Sequence, residues 1–264
     1  MTSRTTVRKR AGAPVAGAAP QPTGPQIVGR RPTSGIPKSF AFFGPPKTGK
    51  TTLATSGKNV LLVQFDPEGD ASSTLQGRED ITIVEPTKFK EVDDIVRQLA
   101  TTDAGVYEWV VFDSLTFFFQ MVGGREISVA YMNNTNIMRP YGKAGAPVCQ
   151  IIADAVRLKD IGVVFTAHLA VESEDEVVKL EQTLGESEVK LAVTPMVWKV
   201  LGPAVSAIGR TYKTTEYDKA GNKLTRYRVS FNDGERSPAG ARTEMPAELN
   251  ITTETLANLK GGKQ

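Results

Sequence analysis

The sequence predicts an α/β fold, with a mostly parallel central sheet flanked by helices and a β-hairpin near the C-terminus. Three observations predict it. Short apolar runs of strand length recur at Phe40, Val60, Trp109 and Ile161, with stretches of helical periodicity among them. The first of these runs breaks into a glycine-rich loop followed by residues that can start a helix. Two strand-like segments, Arg210 to Tyr217 and Lys223 to Phe231, flank Asp218-Lys-Ala-Gly-Asn222, which is a hairpin signal.

The first strand is Ser39-Phe-Ala-Phe-Phe43. It runs into Gly44, Pro45, Pro46, Lys47, Thr48, Gly49, Lys50, Thr51 and Thr52, in which two glycines, a lysine and a threonine keep the G-x-x-x-x-G-K-[ST] spacing. Glycines let backbone N–H groups turn inward around a polyphosphate, and the following helix adds the positive end of its dipole. At this spacing Lys50 reaches the β- and γ-phosphates and the Thr51 hydroxyl ligates Mg²⁺. The competing reading is a Gly/Pro-rich turn before a helix, and the preceding strand weighs against it.

Each later strand brings a candidate residue to its end. Val60-Leu-Leu-Val-Gln-Phe65 leads into Asp66-Pro-Glu68-Gly-Asp70, and carboxylates at the C-terminal ends of α/β strands lie beside the ligand crevice. Ile81 to Val84 is a third strand, and Phe89 to Ala100 carries apolar residues at helical spacing. Trp109-Val-Val-Phe-Asp113 is the next strand; its terminal carboxylate is placed to hold Mg²⁺ opposite Thr51, or else to cap the following helix, expected to run through Phe119. Serine follows Asp113, so a catalytic base has to come from elsewhere. Glu68 is the candidate, against the alternative of a solvated turn carboxylate. The fifth strand, Ile161 to His168, ends in the only histidine of the chain, either a sensor of the γ-phosphate or a structural residue.

Between these strands, 123–145 reads as a polar irregular loop. Tyr131, Arg139, Tyr141 and Lys143 alternate there with asparagines, as in single-strand-binding loops or in any long surface loop. A helix is expected over Ala146 to Lys159. Val171 to Lys190 carries seven acids against two lysines, a poor surface for nucleic acid. Val189 to Val193 reads as a strand, Val197 to Ile208 as a helix, and the hairpin lysines and arginines as a basic ribbon or as edge protection. Arg242 lies in a short irregular stretch before a last helix from Thr253 to Leu259.

Composition narrows the classes further. In 264 residues, 40% hydrophobic, there is room for one large α/β domain, expected over 38–264. Residues 1–37 are rich in Ala, Gly, Pro, Thr and Arg and read as a disordered basic tail. The first 38 residues hold seven Lys/Arg and no acid, leaving the remainder of a +3 chain near −4. Such a tail either grips nucleic-acid phosphates or is a solvated linker. With one cysteine, Cys149, there is no internal disulfide, and one histidine leaves no His/Cys cluster for zinc. No apolar run reaches membrane-spanning length and no secretory h-region is apparent, so a cytoplasmic protein is expected.

Taken together, Gly44-Pro-Pro-Lys-Thr-Gly-Lys-Thr-Thr52, Asp66-Pro-Glu68, Val110-Val-Phe-Asp113-Ser114 and Phe165-Thr-Ala-His168 resemble the RecA/Rad51-like P-loop ATPases, and more closely the phage nucleotide-binding proteins of the Sak4 type, which anneal single strands. The resemblance covers about residues 38 to 260. It implies a RecA-like core that binds ATP and Mg²⁺, with Glu68 as the catalytic carboxylate and His168 as the γ-phosphate sensor. Arg242, in a Gly-Ala-Arg-Thr segment, would be a nucleotide contact within or across subunits. Slow, DNA-stimulated ATP hydrolysis, single-stranded DNA as partner, a ring or filament of copies, a single-strand binding protein nearby and, for a phage product, the bacterial host cytoplasm are the further expectations. The acidic stretch after His168 departs from the DNA-binding second loop of full recombinases, and this makes annealing a better expectation than strand exchange. The rival readings are a small-molecule kinase, which would need an arginine-rich lid, and a nucleotide-gated loader or adaptor of replication proteins that never touches DNA.

Overall fold

Phe40, Phe42 and Phe43 have no solvent exposure at all, because their strand is covered on both faces. The computed structural model describes residues 38–66, 75–101, 106–136, 138–169, 193–232, 239–242, 245–253, 255–256 and 259. In chain order the elements are β1 (Ser39–Gly44), α1 (Lys50–Ala54), β2 (Val60–Gln64), β3 (Ile81–Val84), α2 (Phe89–Thr101), β4 (Trp109–Asp113), α3 (Leu115–Met132), α4 (Met138–Ala155), β5 (Gly162–His168), α5 (Pro195–Ala204), β6 (Ala207–Tyr217), β7 (Lys223–Ser230), β8 (Gly240–Ala241) and β9 (Glu248–Asn250). Along β1, Phe40 and Phe42 enter one hydrophobic core while Ala41 and Phe43 enter the other. A strand buried on both sides reads as a continuous apolar run and not as alternation, which is why it was legible.

The strands join one sheet in the order β3-β2-β4-β5-β1-β6-β7-β9, with β8 on the free part of β6. From β3 to β6 the pairing is parallel, and β7, β8 and β9 add antiparallel. The expected mostly parallel sheet, flanking helices and C-terminal hairpin are therefore present. Strand order positions the site. β5 is inserted between β1 and β4, so the ends of the three strands carry Gly44, His168 and Asp113 side by side, and Gly44 is in register with His168.

Several expected boundaries are corrected. Residues 123–145 are not an irregular loop: α3 continues to Met132 and α4 starts at Met138, eight residues before the expected Ala146. Gly123 is a packing residue. A Cβ on Gly123 would run into the Cβ of Ala144, so its absence lets the two helices approach, and Phe119 stacks on Tyr141 at 5.9 Å between ring centroids. Pro147 lies inside α4, in a helix held by its buried face of Val148, Ile151, Ile152 and Ala155. The helix expected over Val197 to Ile208 is instead α5, and Ile208 belongs to β6, in register with Ala41. Of the strand expected at Val189 to Val193, only Val193 is among the described residues, and it is not in a strand.

Candidate functional site: the loop between β1 and α1

The loop after β1 is fixed from both flanks. Thr48 Oγ1 donates to the Pro45 carbonyl at 2.8 Å and shares a 2.7 Å hydrogen bond with Thr211 on β6, and the Thr211 hydroxyl also reaches the Phe43 carbonyl at 3.3 Å. A Cβ on Gly44 would collide with Thr211, both its carbonyl and its hydroxyl oxygen, so only glycine fits where β6 passes. Gly49 has φ +86°, in the left-handed region, and is the N-cap of α1. Pro45 and Thr48 are buried, whereas Pro46 and Lys47 are exposed at the tip of the loop.

Lys50 is folded back under this loop. Its Nζ donates to the Gly44 and Pro45 carbonyls at 3.0 and 2.7 Å, and the side chain is nearly buried. Burial lowers its pKa from 10.5 to about 8, with Asp113 pulling the other way. A desolvated ammonium whose close partners are neutral carbonyls is under-compensated, and a polyphosphate above the loop would supply the missing charge.

Asp113, at the end of β4, gathers two hydroxyls. One carboxylate oxygen accepts from Thr51 Oγ1 at 2.6 Å, and the other accepts from Thr166 Oγ1 on β5. These are hard oxygen donors, the kind Mg²⁺ takes, and one carboxylate with one hydroxyl suits an ion that completes its shell with phosphate oxygens and water. Among the described residues no group of three or more His, Cys, Asp or Glu forms a separate metal cage. The residues present thus fit a magnesium polyphosphate. Asp113 is not the cap of α3: Ser114 takes that position and accepts from the Phe117 N–H at 3.5 Å.

His168 is half-buried next to this group. Its backbone N–H donates to Thr116 Oγ1 at 3.1 Å and its ring meets the edge of Phe117 at 5.3 Å. Burial, and then the Lys50 charge, push its pKa down against the opposing pull of Asp113 and Asp66. This disfavours the imidazolium, and a neutral ring can donate one hydrogen bond without bringing a full charge. Asp66 lies two residues beyond the end of β2, where a cleft of about 490 Å³ opens, lined by Phe65, Asp66, Glu85, Phe117 and Gln120 among others. The backbone N–H of Phe65, which lines this cleft, donates to the backbone carbonyl of Asp113 at 2.8 Å.

The structure brings together Gly44, Lys50, Thr51, Asp113 and His168, and Thr52 follows in the first turn of α1. Glu68 lies outside the described residues. Arg242 is not brought to the loop within this chain: its N–H donates to the Ser206 carbonyl at 2.9 Å and its guanidinium bonds the Pro203 carbonyl, next to the β8 pairing with Ala207. Ala207 is in register with Phe40, at the end of the strands away from Gly44, so a contact from Arg242 to its own loop is ruled out by the length of β1. Tyr131, Arg139, Tyr141 and Lys143 are exposed in the last turn of α3 and the first turns of α4, with Tyr141 partly engaged on Phe119. In the basic ribbon, Arg228 is paired with Glu216 and Glu248 and Arg226 with Glu216, which leaves less free charge there than the sequence suggests. Thr166 and Thr211 were missed. Thr166 lies two residues before His168, hence on the same face of β5, and this period-2 relation was the available signal.

A family model described as an AAA domain matches residues 36–243, which includes the loop, Asp113 and His168. The chain belongs to this AAA-domain family. The AAA domain is of the P-loop ATPase type, which agrees with the donor set around Lys50 and Asp113. None of the curated proteins matches the sequence. Among solved structures, the AAA domain is similar to the RadB recombinase, at 20% identity over 84% of this chain and 89% of that one, with a TM-score of 0.45. It is also similar to the flagellar accessory protein FlaH from Methanocaldococcus jannaschii (12% identity, 81% and 85% of the chains, TM-score 0.37) and to the Legionella pneumophila ATPase DotB (8%, 74% and 46%, TM-score 0.29). At these values they carry no residue roles across. Among the described residues no helix is long and apolar enough to cross a membrane.

Proposed function

We propose that this AAA domain binds ATP with Mg²⁺ across the loop from Gly44 to Thr51, hydrolyses it slowly, and couples its nucleotide state to assembly on single-stranded DNA, as a RecA-like annealing protein. The observation that carries the ATPase part is the Asp113 carboxylate held between the Thr51 and Thr166 hydroxyls, one helical step from the desolvated Lys50. Lys50 and the loop amides would hold phosphate oxygens, and Thr51 and Asp113 would hold the metal, which would supply charge neutralisation. Thr166 fixes the carboxylate so that it does not rotate away. His168, neutral and beside Gly44, donates a hydrogen bond toward the terminal phosphate, and Glu68 orients the attacking water. Catalysis is then positioning and electrostatics, with no covalent step on the protein.

The DNA part rests on the cationic first 38 residues and on the exposed Tyr131, Arg139 and Lys143. Its test is phosphate release by the purified full chain with and without a single-stranded oligonucleotide at low salt. Stimulation by DNA, together with salt-sensitive binding of the oligonucleotide, supports the proposal. Release that ignores DNA, with no oligonucleotide bound at low salt, favours an adaptor of replication proteins instead.

A further inference from the structure

Tyr227 packs against the phosphate loop on the flank opposite Asp113. A Cβ placed on Gly49 would be 3.6 Å from both Cβ and Cδ1 of Tyr227 and 3.5 Å from Cδ1 of Ile251. The backbone joins the two, since the Ile251 N–H donates to the Tyr227 carbonyl at 2.8 Å. Tyr227 is nevertheless 41% exposed, so its ring is a wall with an open side. Across the hairpin it is in register with Lys213, whose Nζ stands over the ring at 5.7 Å from the centroid.

Direction follows from strand order. β1 has β5 and β4 on one flank and β6 and β7 on the other. Thr166, His168 and Asp113 are all on the first flank, so the terminal phosphate and metal belong there. A linear ligand lying across the loop has its other end over the β6 and β7 flank, where the structure offers an aromatic face, an aliphatic neighbour and a cation. The two faces of the hairpin differ in this respect. Arg226 and Arg228, on the face away from Gly49, are tied to Glu216 and Glu248, whereas Lys213 and Tyr227 share the face toward the loop.

We propose that Tyr227 and Lys213 form the nucleoside subsite, with the base stacked on the Tyr227 ring and Lys213 moved from that ring to the phosphate nearest the ribose. This rests on the reading of the loop as a nucleotide site. The exchange is favourable in kind, because an exposed cation–π contact is weaker than stacking of a base on an aromatic ring, and the lysine keeps a charged partner after it moves.

Calorimetric titration of the full chain with ATP and with inorganic tripolyphosphate, each with Mg²⁺, tests it. Tyr227→Ala is expected to weaken ATP roughly tenfold and to leave tripolyphosphate unchanged, while Tyr227→Phe keeps both. A Tyr227→Trp variant gives a second readout: its indole fluorescence is expected to be quenched by ATP and not by tripolyphosphate. Unchanged ATP affinity in Tyr227→Ala, or equal losses for the two ligands, or equal fluorescence responses in Tyr227→Trp, overturns the subsite while the loop assignment stands. Failure of the wild type to bind either ligand overturns the loop assignment and the subsite with it.

Discussion

In the proposed function the Lys50 ammonium holds the phosphates, and its titration gives a signed prediction. With a folded pKa of about 8 against an ordinary 10.5, the unfolded chain binds more protons between these values, so ligand-free stability rises with pH across that window. Nucleotide affinity runs the other way, because a polyphosphate holds the protonated form. ATP affinity measured by calorimetry is expected to fall as pH rises beyond about 8, approaching a tenfold loss per pH unit at most; a flat profile between pH 8 and 10.5 would contradict the placement of Lys50 against the phosphates. Thr166→Val keeps the shape of the side chain but removes the hydroxyl bonded to Asp113. It is expected to lower kcat about tenfold with little change in ATP affinity, since it loosens a carboxylate and leaves the loop intact. An equal loss in affinity, with kcat retained, would show Thr166 to be part of the binding surface. The loop and Asp113 were readable from the sequence because their spacing is local. Thr211 was not, because its hydrogen bond to Thr48 spans 163 positions.

At the scale of elements, the α3 and α4 pair shows that glycines within a helix need not end it. Gly123 and Gly124 are equally unfavourable for an isolated helix, by about 1 kcal/mol each relative to alanine. Their surroundings differ: Gly123 faces Ala144 with no room for a methyl group, whereas a Cβ on Gly124 meets only Gln120 Cβ, at an ordinary 3.7 Å. Gly124→Ala is therefore expected to stabilise the protein by up to about 1 kcal/mol. Gly123→Ala gains the same propensity but forces the helices apart, a cost of about 1–3 kcal/mol, and is expected to be net neutral to destabilising. Denaturant unfolding of the two variants checks this, and equal stabilisation would mean that the helices do not touch at Gly123. Strands were legible for the opposite reason. Phe40 to Phe43, Val60 to Val63 and Val110 to Phe112 are buried on both faces, so each is an apolar run with no glycine inside it.

For the whole molecule, charge is divided between a cationic N-terminal segment and a mildly acidic remainder. If that segment grips phosphates, deleting residues 1–37 is expected to weaken oligonucleotide binding and to flatten its salt dependence by several charges, while leaving DNA-free ATP hydrolysis as it was. An unchanged salt slope in a filter-binding or fluorescence titration would assign the DNA contact to the folded part. The order of strands, and with it the meeting of β1, β5 and β4 ends, could only be anticipated through the family resemblance. Pairing partners far apart in sequence leave no local periodicity to read, and Arg242 illustrates the limit: the family resemblance suggested a nucleotide contact within or across subunits, and the β8 pairing puts it at the end of the strands away from its own loop.

The most direct test is the Mg²⁺ dependence of ATP binding by the full chain, wild type against Asp113→Asn. Tighter ATP binding with Mg²⁺ in the wild type, lost in Asp113→Asn while metal-free binding persists, is the predicted result. Full Mg²⁺ dependence in Asp113→Asn, or no ATP binding by the wild type, would contradict a nucleotide held between Lys50 and the Thr51–Asp113 pair.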